Sequence, residues 1–395
     1  MRTRHLYRVS IPCALLISFI LIASVFTGSS VYAHRAGESY IYLRVYENKL
    51  SGNFHITLRD LNHALGLQGT DVQITEDNLA DRISEIHSYY EEKVQFFDQE
   101  NELPIRFTGL DMLRYKDLWI LTEFVIIENA ATPDAIDIDY SVLFDKAPDH
   151  VALLAIEHFW NASMFKNEGE VSLSFSPDNH RKELSFSEYS VFTGFFGVVK
   201  LGIMNIWKGF DHMLFIIALL LPAAMVRKKG IWEPVTEFRT ALIYLVKLIT
   251  LFTIPYSLTL SIAALGLFSL PGRLVNTAIA ISIAIAAIEI IKPIFKRKIG
   301  WIVFMFGLFH GFGFARDLAR TGALSEHMAL SIIGFNLGVE IGLVVVIFFL
   351  FSNFYLIRHS AVYSKVLIRY GAVALVLLGT IWTVDRAFFD IHILH

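Results

Sequence analysis

The run Gly209-Phe210-Asp211-His212-Met213-Leu214-Phe215-Ile216-Ile217 marks the point where this chain changes character. Before about residue 190, charged and apolar residues mix over short distances. After it, long apolar runs follow one another almost to the C-terminus. An ionisable residue at the centre of a bilayer-spanning helix costs about 3 kcal/mol on insertion scales. An adjacent Asp and His at the start of such a run therefore call for a counter-charge, a bound ion or a polar cavity.

Six apolar segments lie near 205–226, 241–268, 273–291, 299–316, 328–352 and 367–386, each close to the roughly 20 residues a bilayer requires. The more apolar stretch from Val191 adds a short interfacial helix before the first. Arg227, Lys228, Lys229 and Arg239 follow the first segment, Lys292, Lys296, Arg297 and Lys298 the third, and Arg358, Lys365 and Arg369 the fifth. Fewer basic residues follow the second (Arg273) and fourth (Arg316, Arg320). The positive-inside rule puts the first group in the cytoplasm and the N-terminal half outside.

That orientation agrees with the N-terminus. Arg2, Arg4 and Arg8, an apolar stretch from Ile11 to Phe26, and Val31-Tyr32-Ala33 have the layout of a secretory signal over residues 1–33. Cleavage after Ala33 makes His34 the new N-terminus, whose amine and imidazole together chelate a metal such as Cu(II). The only cysteine, Cys13, lies in the leader, so the mature chain has no disulfide or thiolate metal site. The chain has 395 residues, 54% of them hydrophobic, and a net charge of -3, which gives no sign of a nucleic-acid partner.

Residues 34–190 read as an extracytoplasmic β-rich domain. Tyr40–Tyr46 and Leu50–Leu58 flank a turn and predict a hairpin; Leu79–Val94 predicts a helix; Ile105–Leu110, Leu118–Ile127, Ile136–Leu143, Val151–Ile156 and Val171–Phe175 predict strands. The fold class is thus mixed: a β-sandwich-like domain followed, over 191–395, by a six-helix membrane domain. His55, His63, His87, His150 and His158 have no ligand spacing and read as surface or packing residues.

In the membrane half, the topology places Asp211, His310, Asn336 and Ser282 about 9 to 13 Å from the outer ends of their segments, at ~1.5 Å per residue. Tyr256 and Ser257 lie somewhat deeper, beside Pro255, which kinks or breaks the second segment. Glu340 is one turn beyond Asn336 on the same helix face. One polar layer in the outer half of the membrane follows, with Gly307, Gly311 and Gly313 permitting a helix to come close to His310.

Three motifs, Gly209-Phe210-Asp211-His212-Met213-Leu214-Phe215, Phe306-Gly307-Leu308-Phe309-His310-Gly311-Phe312-Gly313-Phe314-Ala315 and Phe335-Asn336-Leu337-Gly338-Val339-Glu340-Ile341-Gly342, resemble those of the HupE/UreJ membrane proteins. The resemblance is to the branch with an extracytoplasmic N-terminal domain that often begins at a histidine. It implies a permease or handler of nickel, cobalt or another divalent metal ion in the bacterial inner (plasma) membrane. Asp211, His212 and His310 would be the transient metal ligands, Asn336, Glu340 and Ser257 would line the site, and His34 would capture the ion outside. The family pattern has a histidine where this chain has Asn205, Ala-His-Ser where it has Pro255-Tyr256-Ser257, and a glutamine where it has Leu343. Two imidazoles are thus replaced by poorer nickel ligands. Two further readings stand beside transport: a metal-dependent intramembrane hydrolase acting on a lipid or lipoprotein, and a non-catalytic assembly or sensor protein whose outer domain binds a protein partner.

Overall fold

The computed structural model describes residues 37–389 apart from Lys116, Asn129, 167–169, Lys229, 296–297 and Ser325. The stretch read as a secretory signal, and His34, lie outside the described residues. The described chain divides after Gly197 into two compact units.

In the first unit, β1 (Glu38–Tyr46) and β2 (Lys49–Thr57) form the expected hairpin, with Tyr46 paired to Lys49 across a two-residue turn. Thr57 caps the short helix α1 (Leu58–Ala64) by accepting from the Asp60 amide. The helix predicted over Leu79–Val94 is a 3-10 turn, Leu79–Arg82, leading into α2 (Ile83–Lys93); α1 was not predicted. The remaining strands are β3 (Val94–Asp98), β4 (Asn101–Leu103), β5 (Arg106–Tyr115), β6 (Asp117–Glu128), β7 (Ala135–Tyr140), β8 (Val151–Phe159), β9 (Met164–Phe165), β10 (Val171–Phe175) and β11 (Arg181–Ser185).

One sheet has the order β10-β8-β1-β2-β6-β5, with β9 beside β8; the other has the order β11-β7-β3-β4. Among the described strands only β1 and β8 pair in parallel. The two sheets share a core in which Phe124 of the first meets Phe96 of the second at 5.7 Å between ring centroids. Phe54 stacks between Phe124 (4.2 Å) and Tyr90 of α2 (4.5 Å). Three histidines of this unit pack on aromatic rings: His158 stacks on Tyr46, His87 on Phe107, and His55 tilts against Tyr42. His150 is buried in a chain of contacts, its Nε2 2.9 Å from Ser39 Oγ, which is 2.9 Å from the Tyr140 hydroxyl.

The second unit is helical. Six helices among the described residues are long and apolar enough to cross a membrane. They are α3 (Val191–Lys208), α5 (Phe238–Ala264), α6 (Gly272–Ile291), α7 (Ile299–Arg320), α8 (Met328–Ile357) and the segment Val362–Phe389, whose regular core is α9 (Ile368–Val384). A shorter apolar helix, α4 (Phe210–Leu220), follows α3 directly. A hairpin of β12 (Met225–Lys228) and β13 (Ile231–Pro234) joins α4 to α5.

The first segment departs from expectation. Residues 205–226 are not one helix: the helix begins at Val191 and is interrupted at Gly209, whose φ of -75° and ψ of 93° are extended rather than helical. A Cβ at Gly209 would lie 2.2 Å from His212 Nδ1 and 2.7 Å from the Asn205 carbonyl oxygen, so the break is the space the imidazole occupies. Gly202 and Ile206 of α3 lie against Gly338 and Gly342 of α8, so these two helices run parallel in register. With 18 and 11 residues, α3 and α4 in series match the 30 residues of α8. Broken helices of this kind bring backbone ends and polar groups together at the junction.

Pro255 does not break its helix. Residues 238–264 run continuously, and Pro255 sits buried where α7 comes closest. Gly307 faces the Phe252 carbonyl and the Pro255 ring, and Gly311 faces Thr259 and the Tyr256 carbonyl, so a methyl group at either would collide with α5. The Thr259 hydroxyl is within 2.9 Å of the Leu308 carbonyl across this contact.

Candidate functional site

Four elements converge on the break. α4 brings Asp211 and His212 in its first turn, α7 brings His310, α5 brings Phe252 and Tyr256, and the last segment brings Trp382 and Arg386. The His212 and His310 rings are 5.7 Å apart between centroids. Both are buried, His310 completely. An aromatic shell encloses them: Phe314 lies 4.6 Å from His212, while Phe215 and Phe252 lie 4.7 and 5.1 Å from His310.

Their hydrogen bonding is incomplete. His310 Nδ1 is 2.8 Å from the Phe306 carbonyl oxygen one turn earlier. A carbonyl only accepts, so Nδ1 carries the proton and the Nε2 lone pair is left free. His310 Nε2 and both nitrogens of His212 are buried with no hydrogen-bond partner. A buried polar atom left unpaired costs about 1–3 kcal/mol, so three in one place require an explanation. Two imidazoles that share a cation at metal–nitrogen distances near ~2.1 Å place their ring centroids about 5 to 6 Å apart, which is the separation seen.

Asp211 adjoins the pair. Its Oδ1 is 3.7 Å from His212 Nδ1 and accepts from the His212 amide at 3.3 Å. Its Oδ2 is 3.2 Å from Nη1 of Arg386. Arg386 also donates to the Asn276 carbonyl at 3.3 Å and lies over the Trp382 ring at 5.2 Å. Arg316 bonds the Asn276 side chain, and Arg273 donates to the Arg386 carbonyl. Nothing in the sequence reading singled out Arg386. At the end of the last apolar segment it has the look of an interfacial anchor, and only the packing of that segment against α4 and α6 shows it buried on a carboxylate.

The remaining candidates fall elsewhere. The Tyr256 hydroxyl donates to Glu340 Oε1 at 3.0 Å, joining α5 to α8, with Ser257 and Thr253 beside it. Phe314 stands between this pair and the imidazoles, 5.3 Å from Tyr256. Asn336 donates to the Ile332 carbonyl on its own helix, and its Oδ1 is buried without a partner. Ser282 turns back onto the Ile279 carbonyl at 2.6 Å. Asn205, standing where the resembling proteins carry histidine, has an unpartnered buried Nδ2. Among the described residues no group of three or more His, Cys, Asp or Glu side chains has the geometry to hold a metal ion. On the side of the imidazoles away from Arg386 lies an apolar cavity between α4, α5 and α8, lined by Phe215, Ile216, Leu248, Phe252, Leu343 and Ile347 among others.

A multi-pass helical membrane domain with an imidazole pair inside it, preceded by a strand-rich domain, is the class of protein these features define. The family described as HupE / UreJ protein matches residues 181–386, and the chain belongs to that family. Membership implies a membrane protein associated with nickel or cobalt transport. No curated protein matches the chain.

Proposed function

We propose that the protein is a divalent-metal permease in which His212 and His310 are the transient ligands of the ion and Asp211 supplies the negative charge. The observation that carries this reading is the facing pair of buried imidazoles with three unpartnered nitrogens. Imidazole suits nickel and cobalt, and two such donors make a site weak enough to release its cargo, as transport requires. Asn336, Glu340 and Ser257 border the route on the α5 and α8 side of Phe314, and Tyr256 holds the Glu340 carboxylate in place. The broken crossing α3–α4 gives His212 its position at the interruption.

In the same reading the chain lies in the inner membrane with residues 34–190 outside and its leader removed after Ala33, which would free His34 to capture the ion. The basic residues assigned to the cytoplasm support this orientation by clustering at one end of the bundle. Arg227 donates to the carbonyls of Ile290 and Ile291, and Arg358 to that of Val235, so the loops carrying them adjoin. Cells expressing the wild-type chain should accumulate more Ni(II) or Co(II) than cells expressing His212→Ala or His310→Ala at equal membrane abundance. Equal accumulation in all three refutes the proposal.

A further inference from the structure

Asp211, Glu289, Asp317, Glu340 and Asp385 lie in the bundle's helices, and the structure treats Glu340 and Asp211 differently. Glu340 meets a neutral phenol, whereas Asp211 meets a guanidinium. Arg386 is 6% exposed and fixed from several sides: by Asp211 Oδ2, by the Asn276 carbonyl and by the face of Trp382, while its own carbonyl accepts from Arg273. Holding a guanidinium this deep is costly unless it is paired, and the pairing is made with the carboxylate next to His212 in the chain.

We propose that Arg386 is a tethered counter-cation that competes with the transported metal for the Asp211 carboxylate, and so sets how tightly the imidazole site holds its cargo. This rests on the metal reading of His212 and His310. In the structure the Asp211 carboxylate is already paired with a cation, so an arriving dication meets a ligand that is taken. To gain the carboxylate the metal must draw Asp211 away from Arg386. When the metal leaves, Arg386 recovers its partner, and the buried carboxylate is never left without a cation. The exchange lowers affinity and speeds release. An arginine suits this role because its charge is permanent, and its Nη1 reaches both Asp211 and the Asn276 carbonyl.

The test uses the full-length protein in lipid nanodiscs titrated calorimetrically with Co(II), comparing wild type, Arg386→Gln, Arg386→Lys, Asp211→Asn and the double variant Asp211→Asn/Arg386→Gln. Removing a full positive charge from beside a carboxylate in a low-dielectric interior should tighten Co(II) binding in Arg386→Gln by about tenfold or more. Arg386→Lys keeps the charge without the fork and should fall between wild type and Arg386→Gln, which preserves the test if the glutamine variant folds poorly. In Asp211→Asn the gain from Arg386→Gln should vanish, because the contested group is gone. In proteoliposomes Arg386→Gln should lower KM and kcat for Co(II) uptake together, a split that a merely structural role would not give. Equal affinities for wild type, Arg386→Lys and Arg386→Gln, or a gain that survives in the Asp211→Asn background, overturn the proposal while leaving the metal site standing. A wild-type protein that binds neither Co(II) nor Ni(II) overturns both.

Discussion

Replacing Gly209 by alanine adds a single methyl group at the break between α3 and α4, and its consequence can be worked out atom by atom. The backbone there, φ -75° and ψ 93°, is open to any L-residue, so alanine meets no conformational penalty. The cost is contact. The new Cβ would stand 2.2 Å from His212 Nδ1, whereas ordinary contact begins at 3.4 Å, so the imidazole must withdraw by about 1.2 Å. The Asn205 carbonyl at 2.7 Å belongs to the helix backbone and yields little. Phe314 at 4.6 Å and His310 at 5.7 Å bound the other side of the ring. Overpacking of this kind costs about 1–3 kcal/mol of stability. A ligand displaced by about 1 Å costs on the order of 100-fold in a process that depends on its geometry. We therefore expect Gly209→Ala to remain folded, shown by a monodisperse size-exclusion peak in detergent, while Co(II) affinity and uptake fall by about 10- to 100-fold. Wild-type affinity in a folded Gly209→Ala protein would refute both the placement of His212 and its role as a ligand.

Other outcomes follow from the same geometry. Gly311→Ala places a methyl group 1.9 Å from the Thr259 hydroxyl and 2.3 Å from the Tyr256 carbonyl, and should lower the thermal unfolding midpoint more than Gly209→Ala does, because α5 backbone stands in the way. Tyr256→Phe removes the donor to Glu340 and should cost about 1–3 kcal/mol, read as a lower unfolding midpoint at neutral pH. In the strand-rich unit, burial holds the His150 imidazole below its ordinary value, with Asp60 and Glu38 partly opposing. The unfolded chain therefore takes the proton first. The contribution of neutral His150 is complete above the unfolded value of about 6.5 and is lost as pH falls below it, so the unfolding midpoint of this unit should drop between pH 7.5 and 5.5, and His150→Gln should flatten that drop.

The membrane segments and the Asp-His pair were legible because hydropathy and the cost of buried charge are properties of short stretches. The β1–β2 hairpin was legible for a similar reason: two runs of strand formers flank a short turn. The break at Gly209 was not, since a hydropathy window smooths over one extended residue and nothing local says that a histidine ring will fill its space. Pro255 misled in the opposite direction, because a proline ring packed against Gly307 fits inside a helix that a neighbour supports. The short strands β3 and β11, carrying Asp98, Arg181 and Lys182, show no clean alternation and exist through pairing with β7, which is distant from both in sequence. Arg386 escaped for the same reason: its partner is 175 residues away.

The apolar cavity beyond the imidazoles has a meaning for leakage. A bare cation entering a pocket walled by Phe215, Leu248, Phe252, Leu343 and Ile347 would give up its hydration for nothing in return, an idealised penalty of order 20 kcal/mol for a single charge. On the proposed reading, this arrangement of helices makes the histidines a dead end for an ion, the wall beyond them being apolar side chains. For the proposed permease, passage then calls for α4 to move relative to α5 and α8 so that polar groups or water replace that wall. The interruption at Gly209, which frees α4 from a continuous helix with α3, is where such a movement costs the backbone least.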